Sequence, residues 1–82
     1  MKTSFRKAKI SWNCRRGMLE LDLLLTRFLA NGFDRLTEEQ VDLFEQLLNY
    51  SDPELYACLM GQMQPAEEFS EIVSLIRFHS NP

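Results

Sequence analysis

Apolar residues recur along this chain at steps of three and four and seldom alternate strictly, which is the spacing of helices rather than strands. Phe5, Ala8, Ile10 and Trp12 predict a short first helix over residues 5–12. Met18, Leu21, Leu25 and Phe28, with Leu24 and Leu29 beside them, predict a second over 15–30. Asn31-Gly32 stops it, because both residues accept the left-handed conformation of a helix end. A third helix opens at Thr37. Thr37 and Gln40 have the spacing of a capping box, Leu36 and Val41 that of a hydrophobic staple. Val41, Phe44, Leu47 and Leu48 supply its buried stripe. Asp52-Pro53 announces a fourth helix, with aspartate as the cap and proline at the first helical position. Leu55, Tyr56, Leu59 and Met60 follow, and Gly61 ends it. A fifth begins near Pro65, with Glu67 and Glu68 at the positive end of its dipole. Phe69, Ile72, Val73 and Ile76 form its apolar face, and His79 to Pro82 reads as a frayed tail. With short connections throughout, the pattern predicts an all-α protein, a compact five-helix bundle.

Length fits this picture. The 82 residues suit a single helical domain over 1–82. A chain of this size buries only ~60–65% of the surface its unfolded form exposes, enough for one modest core and little else. A deep, walled active site would have little room beside it. The net charge of −3 is unremarkable, but its distribution is not. All twelve acids lie beyond residue 16, while Lys2, Arg6, Lys7, Lys9, Arg15 and Arg16 precede them. A basic arm over about 1–12 on an acidic body suggests either a polar partner surface or a solvated terminus. Cys14 and Cys58 are the only cysteines, and their spacing matches no metal or redox motif. No apolar run reaches the ~20 residues that a membrane span needs, so no membrane insertion is expected. With no secretory signal either, the expected location is the cytoplasm.

One segment resists a bland reading: Cys14-Arg15-Arg16-Gly17-Met18-Leu19-Glu20-Leu21-Asp22. Glycine in a first helical turn costs ~1 kcal/mol relative to alanine. Arginines at a helix N-terminus oppose the dipole. Arg16 and Glu20, four apart, would form only a weak pair in the less favourable order. Local helix stability would not choose this arrangement, which points to a purpose outside the helix. On a helical wheel Arg16, Glu20, Leu23 and Arg27 share one sector, with Leu19 beside it and the core stripe opposite. Leu19 and Leu23 either pack beneath a neighbouring helix or form an exposed apolar patch with charged anchors, the mixture that interfaces favour.

Arg-Arg-Gly-Met-Leu-Glu-Leu-Asp (15–22), preceded by Trp12, resembles the signature of the SdhE/YgfY (CptB) flavinylation factors, whose heart is Arg-Gly-x-x-Glu. Asp52-Pro53-Glu54-Leu55-Tyr56, followed by Leu59, is similar to that family's Asp-Pro-x-Leu-aromatic segment, although the family often has tryptophan where Cys58 stands. The resemblance spans residues 5–78. It implies a small five-helix assembly factor that binds the flavoprotein subunit of succinate dehydrogenase, and often of fumarate reductase. Such a factor promotes covalent attachment of FAD to a histidine of that client. The resemblance assigns the client contact to Arg16, Gly17 and Glu20, and beyond them to Arg15, Met18 and Asp22. Arg16 would bond a client carboxylate or carbonyl, and Glu20 would take a donor or orient Arg16. The sequence has no dinucleotide fingerprint, so the client is expected to hold the FAD and this chain to bind no cofactor stably.

Three rivals differ in class. An enzyme would need a nucleophile–base pair, a metal-ligand spacing or a phosphate-cradling loop, and the chain has none; its one histidine, His79, lies at the tail. The chain is therefore expected not to be an enzyme. Nucleic-acid binding through Lys2, Arg6, Lys7, Lys9 and Arg15, with Phe5 and Trp12 for stacking, would be opposed by the acidic body, so no nucleic acid is expected. An antitoxin-like or membrane-adaptor role would also be protein binding, and the sequence alone does not separate it from flavinylation.

Overall fold

The structure, a computed structural model, describes residues 2–80, with side chains from Arg6 to His79. Among them are five α-helices and no strand: α1 (Lys2–Asn13), α2 (Leu19–Asn31), α3 (Glu38–Leu47), α4 (Asp52–Leu59) and α5 (Ser70–Ser80). Single 3-10 turns, Phe33–Arg35 and Glu67–Phe69, lead out of α2 and into α5. The all-α bundle expected from periodicity is the fold observed.

The core is built around α2, whose Leu21, Leu25 and Phe28 are fully buried. Ile72 and Ile76 of α5, Phe44 and Leu47 of α3, Leu55 of α4 and Ile10 of α1 complete it. The Phe44 ring meets Phe28 edge-on at 5.1 Å between centroids and Phe33 at 6.1 Å. Aromatic pairs in these arrangements each add about 0.5–1.5 kcal/mol beyond their buried area. The radius of gyration, 11.6 Å, matches the ~12 Å of a compact domain of this length.

The caps explain the ends of the elements. Thr37 and Gln40 form the expected capping box of α3: the Gln40 N–H donates to Thr37 Oγ1 at 3.2 Å and the Thr37 N–H to Gln40 Oε1 at 2.9 Å. Leu36 and Val41 are both half-buried against the core. At α4 the cap is Ser51, one residue before the aspartate expected to serve. Ser51 forms a second capping box with Glu54, which leaves Asp52 and Pro53 inside the first turn. Gly61 follows the end of α4 at φ 76°, a conformation that side chains disfavour.

Other boundaries also depart from the sequence reading, and α1 spans Lys2–Asn13 rather than 5–12. Helix α2 starts at Leu19, not near Arg15, so Arg15, Arg16 and Gly17 lie in a bend before it. Helix α5 proper starts at Ser70, after the 3-10 turn that holds Phe69 in the core. It also runs to Ser80, so His79, expected in a frayed tail, lies within the helix. The His79 ring stands over Gly32, where an added Cβ would lie 2.7 Å from His79 Cγ and 2.8 Å from a Phe28 ring carbon. Asn31 Nδ2 donates to the His79 carbonyl at 3.4 Å. The remainder of the expected frayed tail, Asn81 and Pro82, falls outside the described residues.

The basic arm is helix α1, docked on the acidic body. Arg6 pairs with Asp42 and Glu45 of α3, which raises its pKa above the ordinary arginine value. Lys7 Nζ reaches Asp34 Oδ1 at 2.9 Å and lies over the Phe33 ring. Ile10 and Cys14 sink between these contacts into the core. Much of the charge segregation along the sequence is thus closed within the molecule.

Candidate functional site

The bend between α1 and α2 is tied down at three points. The Cys14 N–H donates to the Ile10 and Ser11 carbonyls, and the Arg15 N–H to Trp12 O, which tightens the last turn of α1. Asp22, one turn into α2, reaches back: its Oδ1 accepts the Arg16 N–H at 3.0 Å and stands 3.3 Å from Arg15 Nε. Its negative charge also suits the start of α2. Met18, the residue before the helix, is half-buried against the core.

Arg16 does not share a helical face with Glu20. Its side chain turns inward and is only 13% exposed. Nη2 donates to the Leu48 carbonyl at 2.6 Å, and Nη1 donates to Asp52 Oδ1 at 3.1 Å and the Tyr50 carbonyl at 3.4 Å. Leu48 is the C-cap of α3, so its carbonyl is among the acceptors that a helix C-terminus leaves open, and Tyr50 lies in the turn just beyond. Helix α3 has no basic residue in its own last turn. Arg16 supplies that cation from a distant part of the chain, at the negative end of the α3 dipole. Its Nε is buried with no protein partner. The clash that the sequence posed, an arginine at the wrong end of a helix, is resolved: Arg16 serves the C-terminus of α3.

Glu20 is exposed, and its Oε2 accepts the Tyr56 hydroxyl at 2.8 Å. That hydrogen bond, followed by partial desolvation, raises the pKa of Tyr56. Asp52 and Tyr56 stand one turn apart on α4, so this helix holds Arg16 with one residue and Glu20 with the next.

Gly17 is the plainest departure from structural need. It does not have a positive φ, and an added Cβ would meet nothing within 4 Å. The fold would accept a side chain here. Nearby in the chain, three large apolar side chains are exposed, Trp12 at 78%, Leu19 at 70% and Leu23 at 45%, together with the charged Arg15 and Glu20. Leu19 and Leu23 are therefore exposed rather than packed beneath a neighbouring helix. Two shallow clefts flank the segment. One, of about 340 Å³, lies among Trp12, Arg15, Arg16, Glu45 and Asn49. The other, of about 210 Å³, lies among Glu20, Leu23, Arg27, Tyr56 and Met60.

The six residues singled out by the sequence thus divide. Gly17, Glu20 and Arg15 face solvent, while Arg16, Asp22 and Met18 hold the bend in place. What the sequence reading missed was Tyr56 and the carbonyls at the end of α3. Tyr56 carried a signal, since Asp52 and Tyr56 repeat the four-residue spacing of Arg16 and Glu20. The carbonyls carried none, because backbone acceptors leave no mark on sequence.

The cysteines take no part. Both are buried and free, and burial pushes the Cys14 thiol up to about 12 and raises Cys58 as well. Among the described residues no group of His, Cys, Asp and Glu could hold a metal ion. Nor, among them, is any helix long and apolar enough to cross a membrane.

Fold and site together define a small all-α domain whose charged and apolar residues meet at the bend before α2. Residues 8–80 match the family described as flavinator of succinate dehydrogenase, and the chain belongs to it. It is 59% identical over 71 residues to the FAD assembly factor SdhE of Legionella pneumophila (strain Paris), covering 87% of this chain and 90% of the relative. It is 49% identical over 70 residues to the protein of that name from Coxiella burnetii, covering 84% and 85%. The counterpart in Vibrio cholerae is 51% identical over 61 residues, covering 74% and 71%.

Proposed function

We propose that this chain is an assembly factor that docks on the flavoprotein subunit of succinate dehydrogenase and promotes covalent attachment of FAD, which the client holds. Gly17 carries the reading. An exposed glycine that the fold does not need, between the exposed Arg15 and Glu20, suits close approach by another backbone. Trp12, Leu19 and Leu23 supply the apolar contact, and Arg15 the kind of anchor that interfaces concentrate. The flavoprotein subunit of fumarate reductase, which the family resemblance also implies, is proposed as a second client.

The chain does no chemistry of its own in this scheme. Flavin attachment needs the client histidine and the flavin held in register, and fixing reacting groups lowers a barrier by several kcal/mol. A factor that binds the competent client conformation more tightly than the others shifts the population toward it. The family's description and the shallow clefts both support this division of labour. Two free thiols suit a reducing compartment, which supports a cytoplasmic location.

The test combines apo-flavoprotein, FAD and this chain, and follows covalent flavin by fluorescence on a denaturing gel. The wild-type chain is expected to raise the yield. Gly17→Arg and Glu20→Lys should return it to the level without any factor, while circular dichroism shows unchanged helix. Full flavinylation with both variants would remove the docking surface from this site.

A further inference from the structure

The two short motifs of this chain, Arg16-Gly17-x-x-Glu20 and Asp52-x-x-x-Tyr56, lie far apart in sequence yet meet as two rungs. Arg16 Nη1 donates to Asp52 at 3.1 Å, and the Tyr56 hydroxyl donates to Glu20 at 2.8 Å. The first rung is largely shielded, with the Arg16 side chain 13% and Asp52 30% exposed. The second is open to solvent at the docking surface. We infer that Asp52 and Tyr56 are positioning residues: α4 presets the docking surface by fixing the bend through Arg16 and the carboxylate through Glu20. This deepens the docking reading and rests on it. It also reassigns Arg16, which acts on the client through the bend it holds rather than by touching it.

The physical case is one of order. An exposed glutamate is free to sample several rotamers, and docking must fix it. A hydroxyl 2.8 Å away fixes it beforehand and so removes part of the entropy that binding would otherwise lose. The hydroxyl also leaves Glu20 with free acceptor capacity, since a carboxylate has about four acceptor positions and Tyr56 occupies one. Glu20 can therefore accept a client donor without breaking the rung. The Tyr56 ring and Glu20 border one cleft together with Leu23, Arg27 and Met60, so a shift of Glu20 would reshape that cleft.

The test is a double-mutant cycle on the affinity for apo-flavoprotein. Tyr56→Phe removes one oxygen and keeps the ring. It should raise Kd about three- to tenfold in the wild-type background and by less than twofold in a Glu20→Ala background. A parallel readout needs no client. With Tyr50→Phe in place, Tyr56 is the only tyrosine, and its ionisation is followed by absorbance. The midpoint should fall toward the ordinary tyrosine range on Glu20→Ala. Asp52→Asn tests the other rung: it should weaken docking more than tenfold while Trp12, Leu19 and Leu23 remain unchanged in sequence, and Arg16→Lys should fail to replace arginine.

The outcomes separate. A normal loss on Glu20→Ala with no effect of Tyr56→Phe overturns the positioning role and leaves the docking surface standing. Equal losses from Tyr56→Phe in both backgrounds also overturn it, since Tyr56 would then contact the client directly. Wild-type affinity for Glu20→Ala overturns the docking surface itself, and the positioning role with it.

Discussion

Gly17 and Arg16 are neighbours with opposite duties, and single substitutions tell them apart. At Gly17 an alanine meets no obstacle and needs no strained backbone. Replacing glycine at such a position stabilises by about 0.4–1 kcal/mol, because the unfolded chain loses freedom. Gly17→Ala should therefore melt at or above the wild-type temperature and still dock more weakly; a Kd equal to wild type would contradict the close approach proposed here. Arg16→Ala should do the reverse in stability. It leaves the Leu48 and Tyr50 carbonyls and the Asp52 carboxylate without their donor. Removing one partner of a shielded network costs about 1–3 kcal/mol, which denaturant titration measures directly. Arg16→Lys should recover only part of it, since an ammonium does not reproduce the planar fork that reaches several acceptors.

At the level of elements, the join between α2 and α5 depends on Gly32. A Cβ there would clash with two rings, His79 and Phe28, neither at the end of a flexible chain. Overpacking of this kind costs about 1–3 kcal/mol, so Gly32→Ala should lower the unfolding midpoint, and His79→Ala in the same chain should recover part of the loss. The helices themselves were legible because their signals are local. The apolar stripes of α3 and α5, the Thr37 capping box and the stop at Gly61 all appear within a few residues. The start of α2 was not legible, and the reason is physical. Periodicity through Met18 extends the pattern back to Arg15, but the Arg16 guanidinium finds its acceptors at the end of α3. Those bonds, together with the Asp22 carboxylate on the Arg16 N–H, favour a bend over another helical turn. The cap of α4 was misplaced by one residue for a simpler reason: Ser51 and Asp52 are both good caps, and only Ser51 has a glutamate three positions on. At the site, exposure of Gly17 and Glu20 matched the pattern, whereas the inward turn of Arg16 depended on partners that lie more than thirty positions away.

The molecule as a whole should be labile in alkali, and the sign can be followed group by group. Cys14, Cys58 and Tyr56 all hold their protons more tightly when folded, the thiols chiefly through burial and Tyr56 through its bond to Glu20. A raised folded pKa gives stability that is whole below the unfolded pKa and is lost as pH climbs to the folded one. For Cys14 that window opens near 9 and closes near 12. A shift of this size corresponds to a few kcal/mol, roughly, a substantial share of what a small domain possesses. Urea midpoints measured at pH 8, 9.5 and 11 should fall progressively for the wild-type chain and more gently for Cys14→Ala, whatever the absolute stability of that variant. The same burial should keep Cys14 unreactive toward iodoacetamide at pH 8 until urea unfolds the chain, because the thiolate is the nucleophile and the fold suppresses it. Parallel midpoint curves for the two proteins, or rapid native alkylation of Cys14, would place that thiol at the surface. The docked position of α1 would then be wrong, since Ile10 on its last turns and Cys14 just after it enter the core beside the ion pairs of Arg6 and Lys7.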